Sequence, residues 1–155
     1  MINNDVIRSV RYMLNISDKK IVEIFKLADL EITLKDVQDF LLKDEDPQYL
    51  NCDDKTMAHF LDGLIYLKRG KDKDRPPVPF DFPISNNTIL KKLRVAFELK
   101  EDDMHEIFDK AGFKIGKHEL TAFLRRQGHS NYRECGDQVL RYFLKGLTIR
   151  LRGHH

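Results

Sequence analysis

Residues 60–70 read Phe60-Leu-Asp-Gly63-Leu-Ile-Tyr-Leu-Lys-Arg69-Gly70, and residues 143–153 read Phe143-Leu-Lys-Gly146-Leu-Thr-Ile-Arg-Leu-Arg152-Gly153. The same frame of Phe-Leu, Gly-Leu and Arg-Gly recurs after 83 positions. Held in that register, the rest of the chain aligns without a gap. Asn3-Asn4 falls on Asn86-Asn87, Arg11 on Arg94, and Glu23-Ile24-Phe25 on Glu106-Ile107-Phe108. Ala28 falls on Ala111, Phe40-Leu41 on Phe123-Leu124, and Tyr49, Cys52 and Asp54 on Tyr132, Cys135 and Asp137. Matches of one register over the whole of both halves mark a tandem duplication.

The matched positions are mostly apolar and recur at spacings of three and four, which puts each set on one face of a helix. Four such stripes run through each half. The first is Val6, Ile7, Val10, Met13, Leu14, echoed by Ile89, Leu90, Leu93, Phe97. The second is Ile21, Ile24, Phe25, Ala28, echoed by Met104, Ile107, Phe108, Ala111. The third is Leu34, Val37, Phe40, Leu41, of which Leu120, Phe123 and Leu124 persist. The fourth is Met57, Phe60, Leu61, Leu64, echoed by Leu140, Phe143, Leu144, Leu147. No alternation of period two is long enough for a strand. The expected fold is all-α: four-helix repeats over 1–70 and 86–153, joined by a proline-rich linker at 71–85. Each half is small for independent stability, so the two are expected to pack together. His154-His155 breaks the pattern and reads as a purification-tag remnant.

Polar residues at the stripe ends suggest caps. Asn3 or Asn4, and Asn86 or Asn87, are placed to accept from the orphan amides of the first helix. Thr33 with Asp36 has capping-box spacing. Asp53-Asp54 and Gly136-Asp137 open the fourth helix, and Gly112 closes the second. Gly63 and Gly146 lie inside the fourth helix, where glycine costs roughly 1 kcal/mol against alanine. Their retention predicts a close backbone approach, expected where helices of the two repeats cross. Four of the five prolines fall in the linker, which should be extended and stiff. Its Val78, Phe80 and Phe82 should lie on the surface or join the two units.

The segments FLDGLIYLKRGKD (60–72), NNTILKKLRVAFELK (86–100) and NYRECGDQVLRYFLKGL (131–147) resemble the YehS family of small bacterial proteins. That resemblance spans the chain and implies a duplicated architecture and a bacterial cytoplasmic setting. It implies no reaction, since the family is one of unknown function.

Composition narrows the function classes. No apolar run approaches the roughly 18 residues of a membrane helix, and the first residues lack a signal-peptide core. Two cysteines without an export signal suit free thiols in the cytoplasm. Residues 1–70 carry ten Lys/Arg against thirteen Asp/Glu, whereas 86–155 carry fourteen against nine. A basic second half suits a polyanionic partner, although divergence of solvated faces explains the same numbers.

Two residue sets are candidates for function. The matched Tyr49, Cys52, Asp54 and Tyr132, Cys135, Asp137 could place a thiol at a helix start, where a lowered pKa would activate it for a thiol-dependent enzyme or redox sensor. Nearby acids work against activation, and the plainer reading is a buried cysteine beside a cap. The second and third helices also have helix-turn-helix proportions. On that reading Lys117, His118, Thr121, Arg125 and Arg126 would face nucleic acid, with Lys91, Lys92 and Arg94 gripping phosphates. An ordinary helical hairpin gives the same pattern. His59, His105, His118 and His129 share no spacing between repeats. No nucleotide loop, metal-ligand spacing or nucleophile elbow is present, so no cofactor and no metal are expected. The leading expectation is a non-catalytic macromolecule-binding or adaptor protein with a protein partner. Nucleic-acid binding is the alternative.

Overall fold

The structure, a computed structural model, describes residues 1–153 and leaves His154-His155, with the tag reading placed on them, outside the described residues. Its elements are α1 (Asn3–Leu14), α2 (Asp18–Leu27), α3 (Leu34–Phe40), α4 (Asp54–Arg69), α5 (Asn86–Ala96), α6 (Glu101–Lys110), α7 (Lys117–Leu124) and α8 (Asp137–Arg152). Among the described residues there is no strand. The chain divides into two compact units, Met1–Pro83 and a second beginning at Ile84, so residues 71–83 of the linker belong to the first and 84–85 to the second.

In the first unit α2 packs against α3 and α4, and in the second α6 packs against α8 while α5 packs against α7 and α8. The stripes supply the cores. Ile7, Ile21, Ile24, Phe25, Met57, Phe60 and Leu64 are fully buried in the first unit. Leu90, Met104, Ile107, Phe108, Leu120, Phe143 and Leu147 are fully buried in the second. Phe25 sits 5.5 Å from Phe60, ring centre to ring centre, and Phe108 sits 5.6 Å from Phe143. One stripe position departs: Leu34 is exposed. It occupies the first turn of α3, ahead of the face that Val37 and Phe40 turn inward, and its counterpart is Lys117.

The helix ends repeat as well. Asn15 and Glu98, one register apart, both take the left-handed conformation after the first helix, at φ 52° each. Asp29 (φ 61°) and Gly112 (φ 81°) do so after the second. Thr33 accepts from Asp36 N at 3.0 Å, and Asp53 accepts from Thr56 N at 2.8 Å, as capping chemistry predicts. The asparagines do not cap. α1 begins at Asn3 with Ile2 outside it, Ile2 N donating to Asp5 Oδ2 at 3.1 Å, and α5 is capped by Ser85, which accepts from Thr88 N at 3.1 Å.

The two helical glycines mark crossings within each repeat, not between repeats. A Cβ built on Gly63 would overlap the carbonyl oxygen of Ile24 and lie 2.8 Å from its carbon, so α4 rides on the backbone of α2. On Gly146 it would overlap the carbonyl oxygen of Ile107 and lie 2.7 Å from its carbon. Helix interiors disfavour glycine, and the tight contact overrides that preference at both sites.

Candidate functional site

Asn3, Asn4, Cys52 and Asp54, with their counterparts in the second repeat, meet at one place in each unit, where the loop between the third and fourth helices folds back on the first helix. Asn4 is wholly buried there. Its Nδ2 donates to Phe40 O at 3.0 Å and Leu50 O at 2.9 Å, and its Oδ1 accepts from Cys52 N at 2.9 Å. Asn87 repeats the pattern, donating to Phe123 O at 3.0 Å and Arg133 O at 2.8 Å and accepting from Cys135 N at 2.8 Å. Asn3 Nδ2 donates to Cys52 O at 3.0 Å and Asp54 Oδ1 at 2.9 Å, and Asn86 Nδ2 to Cys135 O at 3.0 Å and Asp137 Oδ1 at 2.8 Å. Only an amide offers two donors and an acceptor in one plane, which explains asparagine at both places. The pair ties three stretches together: the end of the third helix, the loop and the start of the fourth helix.

This clasp accounts for the Tyr-Cys-Asp motif. Cys52 and Cys135 are buried and reduced, and their backbones are what the asparagines hold. Burial, then Asp53 and Asp54, push the Cys52 thiol up to about 12; burial and then Asp137 do the same to Cys135. Thiols so shifted stay protonated and make poor nucleophiles. Asp54 and Asp137 receive asparagine amides. Tyr49 and Tyr132 lie half-buried at the loop, with Tyr49 Oη 3.5 Å from Asn51 Oδ1.

A cation in each repeat closes the third helix, a role the sequence reading missed. Arg8 reaches the carbonyls of Phe40, Leu41 and Leu42, and its counterpart Lys91 donates to Arg125 O at 2.7 Å. Burial holds the Lys91 ammonium below its ordinary range. The signal was present, since Arg8 and Lys91 are both cations one repeat apart.

The basic residues expected to face nucleic acid differ in how free they are. Lys91 is committed to the end of α7, and Lys92 is only 6% exposed, so neither offers a free charge to a phosphate. Arg94 is half-buried with Nε unpartnered, whereas its counterpart Arg11 Nε donates to Asp18 Oδ1 at 2.7 Å. Thr121 Oγ1 donates to Lys117 O within its own helix. Lys117, His118 and Arg126 remain exposed, and Arg125 is half-buried at the end of α7. His59 Nδ1 sits 2.9 Å from Ala28 O, beside a groove of about 370 Å³ lined by Lys55, Ala58, Asp62 and Phe82.

Residues 3–70 and 86–153 each match the profile of a family described as "Protein of unknown function (DUF1456)". The chain is also 44% identical, over 97% of its own length and 96% of the relative's, to the "Uncharacterized protein YehS" of Escherichia coli (strain K12). No solved structure matches.

Proposed function

Since this chain belongs to the DUF1456 family, whose description assigns no function, we propose from its own geometry that it is a non-catalytic cytoplasmic protein that binds another macromolecule. The observation that carries this reading is where the matched polar groups are spent. Asn3, Asn4, Arg8, Asp54 and their counterparts in the second repeat all hold the fold, and both thiols are buried and protonated. The groups matched at this clasp thus serve the scaffold, while the two halves differ in net charge and share only a few identical exposed charges, Glu23 with Glu106 and Arg69 with Arg152. Among the described residues no helix is long and apolar enough to cross a membrane.

The competing reading, nucleic-acid binding by the second repeat, draws on its excess of basic residues and on the exposure of Lys117, His118 and Arg126. One experiment separates them. The full chain is used for affinity capture with and without nuclease, beside Asp44→Lys/Glu45→Lys, Lys117→Glu/Arg126→Glu and Cys52→Ala/Cys135→Ala variants. A protein retained after nuclease, lost with one surface pair and kept by the cysteine variant supports the proposal. Loss of everything captured on nuclease treatment, with a duplex shifted at low salt, overturns it in favour of nucleic acid. Loss confined to a folded cysteine variant would show that the contact depends on the thiols and overturn the reading of them as buried structural residues.

A further inference from the structure

The loop after the third helix is built alike in the two repeats but carries opposite charge. In the first, Asp46 N donates to Lys43 O at 3.0 Å, Tyr49 N to Asp46 O at 3.0 Å, and Leu50 N to Asp39 O at 3.2 Å. In the second, His129 N donates to Arg126 O at 3.0 Å, Tyr132 N to His129 O at 2.9 Å, and Arg133 N to Ala122 O at 3.2 Å. Within this shared frame one side chain caps the turn: Asp46 Oδ1 accepts from Gln48 N at 2.9 Å, and His129 Nδ1 accepts from Asn131 N at 3.0 Å. Residues 42–50 hold one lysine and three acids, whereas 125–133 hold three arginines and no acid.

Histidine in place of aspartate has a chemical consequence. With Nδ1 accepting, the ring hydrogen resides on Nε2. That Nε2 lies 3.3 Å from Arg125 Nη1, a group that can only donate. Two donors thus converge in a loop open to solvent, where neither can accept from the other. A shared oxyanion resolves the conflict, since it accepts from both and neutralises the guanidinium. We infer that the Arg125–His129 pair is a binding site for a phosphate group, present in the second repeat and absent from the first.

The test is by NMR on the isotope-labelled full chain, reading His129 ring nitrogens and loop amides, with inorganic phosphate as one probe and a short single-stranded DNA without terminal phosphates as the other. The expected result is a saturable shift at His129 Nε2 and at residues 125–131, with residues 42–50 unmoved. Arg125→Gln should weaken binding about tenfold, the loss of one charge-assisted hydrogen bond. His129→Asp should abolish binding while keeping the Asn131 amide protected, because Asp46 makes the same cap in the first repeat. Tighter, steeply salt-dependent binding of the DNA would assign the group to a nucleic-acid backbone; equal or tighter binding of phosphate would assign it to a free phosphate or phosphomonoester. Absence of a shift at His129 with either probe, equal shifts at residues 42–50, or unchanged affinity in a folded His129→Asp variant overturns the site.

Discussion

Replacing Gly63 with alanine puts a methyl group where the carbonyl oxygen of Ile24 already stands. Taken alone, the exchange would stabilise α4 by about 1 kcal/mol, because alanine is the better helix former. Against this stands the overlap. The obstructing atom is backbone in the middle of α2, so no side chain can swing away and the two helices must part. Overpacking of this kind costs typically about 1–3 kcal/mol, and a rigid obstacle argues for the upper end. The net is a loss of about 2 kcal/mol, a large share of the stability of a unit this small. Urea titration followed by circular dichroism gives the overall change, and hydrogen exchange locates it. Amides of α2 and α4 should exchange faster while those of α6 and α8 stay as they were, and Gly146→Ala should show the converse. A Gly63→Ala protein as stable as the parent, or more so, would refute the close crossing and leave the glycine unexplained.

Asn4→Ala strips the partner from Cys52 N and Leu50 O, while Phe40 O keeps Arg8; at about 1–3 kcal/mol for each buried group left unpaired, the loss should reach roughly 2–3 kcal/mol. Denaturant titration checks this, and Asn87→Ala should behave alike. Both thiols should resist alkylating reagents at pH 8 until urea is added, in a timed labelling assay read by mass spectrometry. Because their folded pKa values, about 12, lie above the ordinary 9.0, the folded state favours the protonated thiol. Their contribution is therefore complete below pH 9 and is lost as pH climbs toward 12, by at most about 4 kcal/mol per thiol. Alkaline denaturation of a Cys52→Ala/Cys135→Ala variant should accordingly begin at higher pH than that of the parent. Asp29→Gly, which copies Gly112 at a left-handed position, should raise stability by about 0.5–1 kcal/mol in the same urea assay.

The helical stripes were legible because burial imposes a period on the sequence, and two copies of that period reinforce each other. Partners across the fold leave no such trace. Asn3-Asn4 stood out as retained, and its place beside a helix start suggested a cap; the carbonyls it serves lie 36 and 46 residues away. Gly63 likewise announced a close approach without naming Ile24 as what approaches. Among the basic residues, composition showed the excess in the second half, yet could not tell Lys91, turned onto a helix end, from Lys117, turned to solvent. His129 was passed over because it has no histidine counterpart. The informative comparison was with Asp46, a residue of different chemistry performing the same local task.

The asparagine clasp also orders events during synthesis. Asn3 and Asn4 leave the ribosome ahead of Leu50, Cys52 and Asp54, which they hold and which follow some fifty residues behind. The first repeat therefore waits, its opening helix unanchored, until its own fourth helix begins to emerge. Once residue 70 is out, every bond of its clasp is available without a single residue of the second copy, and the nascent chain can close one repeat before the next is made.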